Sequence, residues 1–273
     1  MPHDLSSRTP TETPALEPTT ARWPAYGRVA WTVVSYIVMQ SLIFGVAALP
    51  VAIALHWLGS LLWLGSLLHS QDWLRPVLLA VGMLPIYLVG TLSLIACTAA
   101  ATRLLGWRSI PDAAMPIRDF GWPLMNWARY LMLTHAVRLL VGVPLRGTPV
   151  WGFFIYLNGA RMGRRVWVNS TGVMDHSLLE FGDDTVIGAE VHLSGHTVEG
   201  GVVKTGHVRL GRGVTIGVGS VIGVGSDIGD RCQVGALSFV PKMSHLEAGA
   251  IYAGAPVHRI TGVHVNPTRI HST

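Results

Sequence analysis

Residues 210–251 read LGRGVT, IGVGSV, IGVGSD, IGDRCQ, VGALSF, VPKMSH and LEAGAI. An aliphatic residue stands at 210, 216, 222, 228, 234, 240 and 246 without a slip, and a small residue follows most of them. A fixed period outranks local propensity in deciding a fold. Six residues suffice for one short strand and one corner. Three such units close a triangular coil whose aliphatic side chains stack inside, each coil resting on the last. A glycine or alanine beside the aliphatic residue leaves room for the corner, where a larger side chain would collide. The same beat runs earlier, through Met162, Val168 and Met174, then Phe181, Ile187 and Leu193. The expected fold is a left-handed parallel β-helix of hexapeptide repeats. It occupies a domain at 159–260, with the regular coils ending near 255.

The beat is expected to break once. Leu193 and Leu210 are 17 apart, which is not a multiple of six. Residues 194–209, SGHTVEGGVVKTGHVR, are therefore expected to loop out of the coil, carrying His196, Glu199 and His207 together. Loops on a rigid scaffold are where function concentrates.

The N-terminal part obeys different rules. Half of the 273 residues are hydrophobic and only 13% are charged, against about 25% in an ordinary soluble domain. Mean hydropathy is +0.44. This excludes a disordered chain and a nucleic-acid-coating protein, and a chain so poor in charge must hide surface in lipid. Residues 1–27 are polar and read as a disordered tail, and 261–273 as a second tail. Between them, 28–106 reads as a transmembrane region of two spans, with three possible. Val29 to Gln71 and Pro76 to Thr102 contain no Asp, Glu, Lys or Arg. The second run fits one spanning helix. The first is longer than one span needs. It is read as a span over 30–56 with an interfacial stretch Trp57 to His69, or as a hairpin broken near Pro50.

Nine arginines against Asp112 and Asp119 lie between Arg103 and Arg165, a net of +7. By the positive-inside rule two spans then leave the N-terminus and the C-terminal domain cytoplasmic. Residues 107–158 read as an amphipathic, interfacial connector. Its helix at 120–142 would put Leu124, Trp127, Tyr130 and Leu131 on one face and Arg129 and Arg138 elsewhere. That helix either packs on the soluble domain or lies in the membrane surface.

The repeat, the loop histidine and YAGAPVHRI at 252–260 resemble the hexapeptide-repeat acyltransferases. The stretches GTPVWGFFIYLNGARMGRRVWVNS, LLEFGDDTVIG, HTVEGG and GALSFVPKMSHLEAGAIYAGAP look like one unit of the C-terminal membrane region of polylysine-synthetase-like peptide synthetases. There, transmembrane helix pairs alternate with hexapeptide domains. The resemblance implies a membrane-associated acyltransferase that forms an amide or ester from a CoA or phosphopantetheine carrier thioester. It implies His196 as general base; Glu199, three residues on, is placed to orient the ring or hold its charge. It places the pantetheine arm along the outer coil at Gly235, Ala236, Ala253 and Gly254, with Lys242 and Arg259 positioned for phosphate. It also implies a homotrimer, and a carrier protein or peptide synthetase as partner, beside membrane lipid.

His176 with Glu180 and Asp183, next to Asp175, forms an acidic cluster suited to an amine substrate. Nucleic acid is not an expected partner, since no dense basic run alternates with aromatics. No metal is expected: His192, His196 and His207 have the wrong spacing for the zinc hydratases built on this repeat. A zinc hydratase and an inert scaffold of a membrane biosynthetic complex are the alternatives.

Overall fold

A computed structural model describes residues 25–67 and 73–261. Most of the two expected tails and the end of the Trp57–His69 stretch lie outside the described residues. The chain forms two compact units. Among the described residues one comprises Pro111–Ala114 and the chain from Arg146, the other Met115–Leu145 and the chain up to Ile110.

The first unit is a coil with three parallel sheets. One sheet stacks Arg161–Met162, Leu179–Phe181, Val208–Leu210, Asp227–Ile228 and His245–Leu246. A second stacks Trp167–Val168, Val186–Ile187, Thr215–Ile216, Gln233–Val234 and Ile251–Ala253, with His258–Arg259 added antiparallel. The third stacks His192–Leu193, Val221–Ile222 and Phe239–Val240. In the regular part the partners are one three-strand coil apart, as in Thr215 with Gln233 and Gln233 with Ile251. The two-residue strands from Trp167–Val168 to His245–Leu246 bury their second residue, and Leu179–Phe181 and Val208–Leu210 bury their first and third. Ile187, Leu193, Ile216, Ile222 and Ile228 are all at most 1% exposed. Burying each such side chain stabilises by about 1.5–3 kcal/mol.

The corners explain the small residues. A Cβ on Gly217 would lie 2.4 Å from the Ala236 nitrogen, and one on Gly223 2.5 Å from the Lys242 nitrogen. Successive coils approach there backbone to backbone. Buried hydroxyls satisfy corner carbonyls: Ser226 Oγ donates to Gly223 O at 2.7 Å, and Ser220 Oγ to Gly235 O at 2.9 Å. Helix Pro149–Leu157 covers the open end of the core. Trp151 Nε1 donates to Ser170 O at 2.9 Å, and Phe154 meets the His176 ring edge-on at 5.4 Å. This helix therefore belongs with the coil rather than with the connector at 107–158.

Two expectations about the repeat are corrected. The inward residue of the third early strand is Val173, not Met174: Val173 is 2% exposed and bridges Leu193. The beat is consequently interrupted in two places, the first around Val173, which stands five residues after Val168 and eight before Phe181. The second break is not an irregular loop. His196–Glu199 and Val202–Thr205 pair antiparallel, His196 opposite Thr205, around Gly200-Gly201. Both glycines have positive φ (56° and 74°), as a two-residue hairpin turn demands.

The second unit is helical. Helix α1, Ala25–Leu67, is continuous through Pro50, and α2 is Leu74–Leu104. The hairpin break near Pro50 is not seen. Both helices are long and apolar enough to cross a membrane. They run antiparallel: Gly82 lies beside Leu58 and Gly90 beside Val51, where a missing side chain lets the partner close in. Helix α3, Trp122–Val137, buries Leu124, Met125, Arg129, Tyr130, Leu133, Thr134 and Val137. Arg129 is thus on the buried face with Leu124 and Tyr130, not elsewhere on the helix as expected.

Candidate active site

The two breaks in the beat fall at the same corner of the coil. The bridge between Val173 and Leu193 aligns two successive coils, so the segments leaving these two residues lie side by side. After Val173 the chain makes a short excursion with Asp175 in the left-handed region at φ 55°. After Leu193 it enters the hairpin. Asp175 and His196, 21 residues apart, meet here.

The geometry is that of a base with its orienting carboxylate. His196 Nδ1 is 2.5 Å from Asp175 Oδ2. Ser194 Oγ donates to the same carboxylate oxygen at 3.2 Å and lies 2.9 Å from His196 Nδ1. The Asp175 side chain is wholly buried, while the His196 side chain keeps 17% of its surface. A carboxylate sealed behind an imidazole fixes the ring and supports the charge it acquires on taking a proton. The hairpin is pinned at its base. Thr205 N donates to Ala113 O at 2.9 Å, and Ala113 N to Thr205 Oγ1 at 3.0 Å.

Glu199 does not supply the carboxylate facing His196. Residues three apart on a strand point to opposite faces. Its Oε1 accepts from Lys242 Nζ at 2.5 Å, and Lys204 Nζ lies 3.7 Å from Oε2. The Lys242 hydrogen bond and the two ammonium charges hold the Glu199 carboxyl below the usual glutamate range. The pair ties the hairpin tip to a later corner of the coil.

The expected acidic cluster is dispersed. His176 is 2% exposed and packs in the core against Phe154. Glu180 faces outward in a rung of alternating charge, paired with Arg161 at 3.5 Å and Arg209 at 3.7 Å. Asp227 and His245 continue that rung one and two coils on. Asp183 Oδ1 accepts from Arg164 N at a corner, 2.7 Å away. Of these four residues, Asp175 reaches the loop histidine. The signal for it lies in the sequence: Met174 to Phe181 is seven residues, one more than the beat.

The expected thioester-binding residues fall into two groups. Gly235, Ala236, Ala253 and Gly254 share one corner on successive coils, joined by Gly235 N donating to Tyr252 O at 2.8 Å. Gly254 N donates to Ser238 Oγ at 3.2 Å. Lys242 and Arg259 are both engaged in ion pairs, the first with Glu199, the second with Glu247 at 2.6 Å. Between the small-residue corner and the hairpin corner runs the outer surface of the third sheet, bearing His192, Val221 and Phe239. Among the described residues no three His, Cys, Asp or Glu side chains gather as metal ligands.

No family model matches the chain. A curated relative, the delta-poly-L-ornithine synthetase of Acinetobacter baumannii, is 24% identical over 138 residues. The match spans 48% of this chain and 10% of that protein, so the chain covers about a tenth of its relative's length. Solved structures similar to it include an N-acyltransferase from Bacillus cereus bound to coenzyme A and a dTDP-amino sugar. That structure is 27% identical, covers 34% of this chain and 56% of its own, and has a TM-score of 0.29. A hexapeptide-repeat acetyltransferase from Vibrio cholerae is 16% identical, with 48% and 89% covered and a TM-score of 0.37. A serine acetyltransferase from Brucella abortus with coenzyme A is 21% identical, with 48% and 55% covered and a TM-score of 0.30. The chain is thus similar to hexapeptide-repeat acyltransferases and, over about half its length, to a polyamino-acid synthetase, the two resemblances that its repeats and motifs imply.

Proposed function

We propose that the protein is a membrane-anchored acyltransferase whose left-handed β-helix carries His196 as general base. The observation that carries this reading is the buried Asp175 carboxylate against His196 Nδ1, on a hairpin thrown out of an otherwise regular coil. Asp175 holds Nδ1, so Nε2 is the nitrogen that takes the proton from an attacking amine or hydroxyl. The nucleophile adds to the thioester carbonyl, forming the new C–N or C–O bond. The C–S bond then breaks, and the proton on His196 passes to the departing thiolate. No charge is left on the protein at the end of the cycle.

The donor is a CoA or carrier-bound phosphopantetheine thioester. Its arm lies against the corner of Gly235, Ala236, Ala253 and Gly254, where backbone is accessible because side chains are small. A homotrimer covers the apolar outer surface of Val221 and Phe239 beside the hairpin, and places one copy's His196 against another's coil. Helices α1 and α2 span the membrane, with the net positive segment after α2 keeping the coil cytoplasmic. The similarity to a polyornithine synthetase supports a carrier protein or synthetase as the donor's source.

The test measures thiol release from acyl-CoA and acyl-carrier donors, with amine and hydroxyl acceptors, in detergent. His196→Ala is expected to lower turnover by about 10²–10⁴-fold, with the unfolding midpoint unchanged. Full activity in that variant moves the base elsewhere. If the native protein consumes no thioester, the coil is a scaffold.

A further inference from the structure

In the helical unit, among the described residues, a full positive charge is buried without a negative partner. Arg129 is 3% exposed and stands in the middle of the stripe Met125, Arg129, Leu133 and Val137 that α3 buries. Its hydrogen-bond partners are neutral. Nε donates to Ser35 Oγ of α1 and Nη1 to Asn126 Oδ1, each at 2.8 Å. Two indole faces flank the guanidinium, Trp107 at 5.2 Å and Trp122 at 5.7 Å. Among the described residues Nη2 is buried with no hydrogen-bond acceptor, and no carboxylate pairs with the group. Burial pulls its pKa down from the ordinary arginine value, with no acidic side chain to offset the shift. An arginine nevertheless stays protonated.

Such a charge is costly. A buried cation is retained when it is paired or when it meets a ligand. Neutral acceptors on two edges and aromatic faces above satisfy the guanidinium in part. The remaining N–H on Nη2 is the kind of donor that an anionic oxygen completes. The unit around it points to an amphiphile. Helices α1 and α2 expose Leu, Val, Ile and Trp side chains along their length, and Ser35 sits at the end of α1 where Arg28 bonds the carbonyls of Asp119 and Phe120. Buried polar groups continue along the helix pair. Gln40 of α1 and Thr98 of α2 both have side-chain atoms without a partner among the described residues. An ionisable group inside an apolar helix bundle is by default a candidate functional site, and a buried polar atom without a partner is one that a water or ion can complete.

We propose that Arg129, with Ser35, Asn126, Trp107 and Trp122, forms a binding site for a phosphate group, that of an anionic membrane lipid. The guanidinium offers Nη2 to a phosphate oxygen, and the two indoles wall the site from water. The proposal rests on reading α1 and α2 as membrane helices. It does not depend on acyl transfer by the coil.

The test is thermal unfolding of the full chain in neutral detergent, with three additions: phosphatidylglycerol, phosphatidylcholine and inorganic phosphate. Phosphatidylglycerol is expected to raise the midpoint by roughly 5 °C at saturation, and phosphatidylcholine to leave it in place. A rise with phosphatidylglycerol alone assigns the phosphate to lipid. An equal rise with inorganic phosphate assigns it to the free anion at the same site. Arg129→Gln should abolish the response and, having lost an uncompensated charge, should unfold near the native midpoint without lipid. Arg129→Lys keeps the charge but loses the planar fork, and should respond by less than half. Arg118→Gln, at a side chain 90% exposed, should respond as the native protein does. The proposal fails if no phosphate addition shifts the midpoint, if phosphatidylcholine shifts it equally, or if both Arg129 variants respond in full. Loss of detergent dependence in the native protein would instead remove the membrane reading, whatever the shifts.

Discussion

The coils from Leu210 to Leu246 and the corner formed by residues 173–208 use the same strands and the same inward aliphatic residues, yet they do different work. In the regular coils every rung repeats its neighbour. Backbone hydrogen bonds, corner glycines and buried serines are satisfied one coil away. The side chains buried there are aliphatic, apart from small hydroxyls and the Cys232 thiol, whose pKa burial pushes up to about 11. At the interrupted corner the excursion after Val173 and the hairpin after Leu193 bring a buried carboxylate to an imidazole. The regular part is a rigid frame, and the interruption holds the proposed site. A site made this way is precise because both interruptions start from strands locked in register by the same bridge.

That contrast can be tested by disturbing each part separately. At the interrupted corner, Asp175→Asn keeps the shape but removes the charge and can turn the ring to the wrong tautomer. Turnover should fall roughly 10²–10³-fold with the fold retained. Circular dichroism together with the thiol-release assay checks this. Loss of fold together with activity would make Asp175 a structural residue, and the two parts would no longer differ in kind.

In the regular coil the opposite pattern is expected. Gly217→Val drives a Cβ into the Ala236 nitrogen at 2.4 Å and should cost about 3 kcal/mol of stability or more. Val218→Ala, at the next position and 51% exposed, should change it by only about 0.5 kcal/mol. Denaturant unfolding distinguishes the two. Activity per folded molecule should be unaltered in Val218→Ala.

The smallest effect belongs to the tie between the parts. Lys242 holds the Glu199 carboxyl below its ordinary range. A carboxyl lowered in the folded state contributes its stability above the unfolded pKa, and loses it as the pH falls through the folded one. At neutral pH the tie is therefore intact, and it opens only on the acid side of the ordinary glutamate range. Glu199→Gln should leave turnover within about tenfold of native, since the imidazole and Asp175 are untouched. It should flatten only the acid limb of the unfolding midpoint plotted against pH. A loss as large as that of His196→Ala would return Glu199 to the chemistry.

The sequence by itself determined the coil, because a six-residue beat admits one way of burying its aliphatic residues. It also determined the charge-free helices, because their length and lack of ionisable groups leave few alternatives. It pointed to His196 through the break in the beat. The Gly-Gly of 200–201 between two alternating stretches also held the hairpin in plain view. Only the tertiary structure decided which carboxylate serves that histidine. Glu199 is three residues away in sequence but on the other face of the strand, while Asp175 is 21 residues away and one coil below. The same holds for Arg129, which the sequence sets apart from the face of Leu124, Trp127, Tyr130 and Leu131. The face of a helix that is buried depends on which neighbours surround it, and α3 packs beside α1 at Ser35 through a residue outside the apolar face read from its sequence.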